Sequence, residues 1–121
     1  MGKILVVEDE ENTRELLNMI LEDSYDILTA ENGQAAVDIV EKNSQEIKLV
    51  ILDLMMPKLN GFEAFKKIKK INEKIKIMIL AVTADWNKVP GSDFQMSKPF
   101  NLENFKKVVN KLFNENVCSL S

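Results

Sequence analysis

The chain has 121 residues, 45% of them hydrophobic and 29% charged, which is the size and balance of one globular domain with its own core. Its formal net charge is −3, it has no histidine, and its one cysteine is Cys118 near the end. These features argue against general nucleic-acid affinity, an internal disulfide, histidine-relay hydrolysis and most zinc sites.

Residues 3–7 form an unbroken apolar run and predict a buried strand, which ends in Glu8, Asp9, Glu10 and Glu11. Over residues 12–21 the spacing of Leu16, Leu17, Ile20 and Leu21 predicts a helix with these four on one face. Acids in its first turn suit the helix dipole. Residues 25–30 read as a second, more mixed strand, expected at a sheet edge. Asn32-Gly33 makes a turn, and residues 34–42 predict a helix with Ala36, Ile39 and Val40 inward. Residues 49–52 are the third strand, an apolar run that delivers Asp53 at its end. Residues 57–60 form a loop, and residues 61–71 a helix with Phe62, Phe65 and Ile68 at helical spacing. Residues 75–82 are the fourth strand and run into Thr83-Ala84. Residues 94–97 are a short fifth strand, followed by Lys98-Pro99-Phe100. The last helix starts at Asn101, with Leu102, Phe105, Val108, Val109, Leu112 and Phe113 as its stripe. One domain over residues 1–115 is expected, with a polar, frayed tail over 116–121. Lys66, Lys67, Lys69, Lys70, Lys74 and Lys76 read as the solvated face of a helix and its exit loop. No apolar run approaches the ~20 residues that span a bilayer. Met1-Gly2-Lys3-Ile4 leads directly into a strand, with no room for a secretory signal, so a cytoplasmic protein is expected.

Strands alternating with helices imply an α/β fold, a parallel sheet covered by helices on both faces. Right-handed crossovers leave few topologies. The doubly wound, flavodoxin-like order 2-1-3-4-5 sets strands one and three side by side at the switch point, where such sheets bind ligands.

At that carboxyl edge the first strand delivers Glu8 and Asp9, the third Asp53, the fourth Thr83 and the fifth Lys98. Each alone has an ordinary reading: the acids as helix N-terminal or turn residues, Thr83 as a strand end, Lys98 as a surface lysine. Together they point to a site. Three carboxylates in one place repel, and a hard divalent cation, Mg²⁺, is the simplest way to hold them. The three acids, Mg²⁺ and Lys98 sum to neutrality. A phosphoryl group is the natural visitor, and a carboxylate can accept it as an aspartyl phosphate. Thr83 and Lys98 could donate hydrogen bonds to the phosphoryl oxygens.

With these motifs the chain resembles the receiver domain of two-component response regulators. The resemblance rests on Ile4-Leu5-Val6-Val7-Glu8-Asp9-Glu10, Asp53-Leu54-Met55-Met56-Pro57 with Gly61, Thr83-Ala84 and Lys98-Pro99-Phe100. It implies that Asp53 is the phosphoacceptor and Asp9 a direct Mg²⁺ ligand, with Glu8 helping through water and the Met55 carbonyl completing the metal site. It implies that Thr83 is the switch hydroxyl, that Lys98 pairs with the phosphate, and that the Lys98-Pro99 bond is cis. The phosphoryl donor would be a histidine on a sensor kinase or phosphotransfer protein.

The chain departs from that pattern between Thr83 and Lys98. Residues 84–90 give about two helical turns at ~3.6 residues each, and Pro90 is costly inside a helix. The family's fourth helix is therefore expected to be missing or reduced to a turn, with Trp86 or Val89 covering the sheet face instead. The residue three before the lysine, usually aromatic in the family and coupled to the threonine, is Gln95. Phe94 should face the opposite way along the strand. Met55 and Asp85 occupy the positions that tune phosphoryl lifetime in the family.

The expected function is a stand-alone phospho-switch or phosphorelay shuttle. It is expected to be a non-enzymatic monomer that neither binds nucleic acid directly nor enters a membrane. Thr13, Arg14 and Leu16 are candidate partner contacts. A Mg²⁺-dependent phosphatase would need an acid where Met55 stands. A phosphorylation-independent binding module on the same fold is the alternative, favoured by Gln95 and the short fourth segment.

Overall fold

The computed structural model describes residues 2–53, 61–81, 92–97 and 101–118. In chain order the elements are β1 (Lys3–Val7), α1 (Glu11–Leu21), β2 (Asp26–Ala30), α2 (Gly33–Asn43), β3 (Ile47–Asp53), α3 (Gly61–Ile71), β4 (Lys76–Ala81), β5 (Phe94–Ser97) and α4 (Leu102–Cys118). The five strands form one parallel sheet in the order β2-β1-β3-β4-β5, as the alternation of strands and helices implies.

The continuous apolar strands are explained by burial on both faces. Leu5, Val7, Val50, Leu52, Ile77 and Ile79 pack on one side with Ala36, Val37 and Val40 of α2 and Ala64, Phe65 and Ile68 of α3. Ile4, Val6, Leu49, Ile51, Met78, Leu80 and Met96 pack on the other with Leu17 and Leu21 of α1 and Phe105, Val109 and Leu112 of α4. The more polar β2 lies at an edge of the sheet. Asn32 caps α2, its side-chain oxygen accepting the Ala35 N–H at 2.8 Å.

Three apolar residues expected on inward stripes are instead exposed. Leu16 is 47% exposed, because the buried stripe of α1 runs through Leu17 and Leu21 and the neighbouring leucine points about 100° away. Phe62 is exposed because α3 buries Gly61, Ala64, Phe65 and Ile68, at positions 1, 4, 5 and 8 of the helix. Leu102 is exposed in the first turn of α4, which starts at the carboxyl end of the sheet, where there is less strand surface to cover.

The last helix also runs through Cys118, into the segment expected as a frayed tail, since no glycine or proline stops it. On β5, Gln95 pairs in register with Ile79, while Phe94 falls on the opposite parity and lines a groove with Lys107, Val108 and Lys111 of α4. Among the described residues β4 is followed directly by β5. Residues 82–91, where the shortened fourth helix is expected, lie outside them, together with Asp85, Trp86 and Val89.

Candidate functional site

β1 and β3 are direct neighbours, and Val7 pairs with Leu52. Their carboxyl ends therefore emerge side by side. Asp53 is the last residue of β3 and pairs in register with Leu80 of β4. Glu8 follows β1 immediately, its N–H bonded to the Ala30 carbonyl at 3.1 Å. Glu8 and Asp53 are only 2% and 3% exposed, whereas Asp9 is exposed. One carboxylate oxygen from each of the three lies within 4.8 Å of the others.

The turn that presents these acids is held by bonds from its own side chains, most of them to its backbone. Glu10 is the N-cap of α1, and its carboxylate accepts the Thr13 N–H at 2.8 Å and the Thr13 hydroxyl at 2.9 Å. Those bonds, the backbone one foremost, hold the Glu10 carboxyl below its ordinary range. The Glu10 N–H in turn donates to Glu8 Oε2 at 3.2 Å. Arg14, expected only as a partner contact, reaches back six residues and donates from Nη1 to the Glu8 carbonyl at 2.9 Å. A lone cation three residues into an acid-rich helix start was the available sign of this contact.

The donor set fits a hard divalent cation. It is all oxygen, with no imidazole or thiolate, and two of its acids are buried. Two oxygens on opposite sides of a six-coordinate ion with bonds of ~2.1 Å stand about 4.2 Å apart. Carboxylates already within 4.8 Å of one another need little movement to share one ion. Thr83, Lys98 and Met55 lie outside the described residues, so the described part of the site is the acid cluster Glu8, Asp9 and Asp53. Among the described residues no helix is long and apolar enough to cross a membrane.

The family model for the response regulator receiver domain matches residues 4–110. A transcriptional regulatory protein CpxR homolog of Haemophilus influenzae is 40% identical over 106 residues, which are 84% of this chain and 45% of that protein. The chain thus spans less than half the length of that relative. Sporulation initiation phosphotransferase F of Bacillus subtilis is 32% identical over 115 residues, covering 90% of this chain and 91% of that one. Among solved structures, a response regulator receiver domain protein from Clostridium thermocellum superposes with a TM-score of 0.89 at 28% identity, covering 98% of both chains. The response regulator TrrA of Thermotoga maritima, solved in complex with Mg²⁺ and BeF, gives a TM-score of 0.80 at 39% identity over 93% of this chain and 99% of that one. TrrA has also been solved in complex with the histidine kinase ThkA, with a TM-score of 0.77 at 38% identity over 93% of this chain and 98% of that one.

Proposed function

The chain belongs to the response regulator receiver domain family, and from that premise we propose that its Asp53 carboxylate accepts a phosphoryl group from a phosphohistidine. The donor is a sensor histidine kinase or a histidine phosphotransfer protein. The observation that carries this reading is the buried Asp53 at the end of β3, with carboxylates of Glu8 and Asp9 within 4.8 Å.

In this reading an Asp53 oxygen attacks phosphorus, the P–N bond of the donor breaks, and the imidazole leaves with the electron pair and takes a proton. Asp9 and Asp53 would hold Mg²⁺ directly, Glu8 would act through water, and the Met55 carbonyl would complete the set. When bound, Mg²⁺ supplies charge cancellation for the carboxylate and the incoming phosphoryl oxygens. The Lys98 ammonium and the Thr83 hydroxyl donate hydrogen bonds to those oxygens. Arg14 and Glu10 keep the β1–α1 turn in the shape that presents Glu8 and Asp9.

A phosphorelay role is favoured by two observations. A relative of nearly the same span is named a phosphotransferase. In addition, α1, which starts at the site, turns Leu16 and Met19 to solvent, the latter 65% exposed. Such exposed apolar side chains along the helix that starts at the acids suit a docking kinase or phosphotransfer helix. The protein is proposed to act in the cytoplasm, as a monomer, by changing its affinity for a protein partner rather than by turning over a substrate.

Radiolabelled phosphoramidate, whose P–N bond resembles that of phosphohistidine, tests the acceptor. The label is expected on the wild-type chain, to be released by hydroxylamine as an acyl phosphate is, and to be absent from Asp53→Asn. Label that survives hydroxylamine, or persists in Asp53→Asn, contradicts the assignment. No label on the wild type would favour the phosphorylation-independent binding module.

A further inference from the structure

The far end of the sheet from the acids holds a second charged cluster. Asp93, one residue before β5, accepts the Ile77 N–H at 2.7 Å through Oδ2. Its own N–H donates to the Ile77 carbonyl at 2.9 Å. Both main-chain groups of Ile77 are thus bonded to one residue. The same carboxylate pairs with Lys69 of α3 at 3.4 Å and Lys76 of β4 at 3.6 Å. Lys69 also donates to the Ile75 carbonyl at 2.8 Å, tying the end of α3 to the start of β4. All three side chains are half-buried, so the pairs are better shielded from solvent than ordinary surface pairs.

β5 has four residues, lies at the sheet edge and, among the described strands, pairs with β4. Strand register is normally specified by the apolar face. Here that face carries Phe94 and Met96 at alternate positions, so a slip of two residues would place one apolar side chain where the other had been. Such a slip moves the strand end by about 6.6 Å, two residues at ~3.3 Å each. A carboxylate bonded to Ile77 N–H at 2.7 Å does not survive it.

We propose that Asp93 is a positioning residue for phosphoryl uptake, a register clamp that sets where β5 delivers the lysine following it in the chain. This rests on the reading of Lys98 as the phosphate-pairing group. In the observed register Met96 pairs with Leu80, which itself pairs with Asp53. The clamp fixes β5 against β4, which pairs in turn with β3, the strand that carries the acceptor. The acid cluster on β1 and β3 is independent of it, so cation affinity and phosphoryl uptake should separate.

The test uses wild type, Asp93→Ala, Asp93→Asn and Lys76→Met. For each, amide hydrogen exchange at residues 95–97, Mg²⁺ affinity by calorimetry and the rate of phosphoryl uptake from acetyl phosphate are measured. Asp93→Ala should lose protection of the β5 amides and take up phosphoryl at least ~10-fold more slowly, since misplacement of a reacting group by an ångström can cost 10²-fold. Its Mg²⁺ affinity should stay within about twofold of wild type, because the acid cluster is untouched. Asp93→Asn keeps an acceptor for the Ile77 N–H and should recover most of the rate. Lys76→Met, which keeps Asp93, should fall between wild type and Asp93→Ala. The clamp is overturned if Asp93→Ala keeps β5 protection, if it loses protection yet takes up phosphoryl normally, or if uptake and Mg²⁺ affinity fall together. A wild type that takes up no phosphoryl would sink the acceptor reading instead, and the exchange measurement would still decide the clamp.

Discussion

Asp53→Asn is expected to make the metal-free protein more stable while removing most of the stabilisation that Mg²⁺ gives. In the wild type three carboxylates lie within 4.8 Å of one another, and two of them are buried. At an effective dielectric constant near 20, unit charges ~5 Å apart repel by about 3 kcal/mol, and the exposure of Asp9 lowers this for its pairs. Removing the Asp53 charge with a near-isosteric amide should therefore stabilise the apo form by ~1–3 kcal/mol, several degrees in melting temperature for a domain of this size. With Mg²⁺ the order changes. A ligand at 100 times its dissociation constant stabilises the folded state by ~2.7 kcal/mol, and the wild type should gain this while the variant gains little. Thermal unfolding in a chelator and then in excess Mg²⁺ reads both effects. A variant less stable than wild type in the chelator would mean that the acids are not in electrostatic conflict.

Phe105→Ala should lower stability by about 3–5 kcal/mol, the usual cost of truncating a buried aromatic. Phe105 is fully buried, packed with the α1 and β-sheet residues of its face. Leu102→Ala, three residues earlier on the same helix, should change stability by no more than ~0.5 kcal/mol, because Leu102 is exposed. Urea unfolding separates the two, with an unchanged denaturant slope for both if unfolding stays two-state. Similar losses at the two positions would mean that α4 docks by a different face from the one observed.

That contrast also marks how far the sequence could be read. The apolar runs of β1, β3 and β4 carry no polar alternation, and burial on both faces follows from that; the parallel sheet follows from strands alternating with helices, and its order is one of the few that right-handed crossovers leave. The site's acids were legible because each stands where an apolar run stops. Periodicity failed where adjacent apolar residues compete for one stripe, as Leu16 and Leu17 do, and where a helix starts near the end of the sheet, as at Leu102. It could not foresee long-range polar contacts. The gathering of Lys69, Lys76 and Asp93 around Ile77 depends on how the elements pack, not on local spacing.

The most direct test of the acceptor site is the intact mass of the protein after incubation with acetyl phosphate, with and without Mg²⁺, for wild type and Asp53→Asn. The site described here predicts a gain of one phosphoryl group by the wild type that requires Mg²⁺, and no gain by the variant under either condition. A gain that persists in Asp53→Asn, or that is indifferent to Mg²⁺, would contradict it.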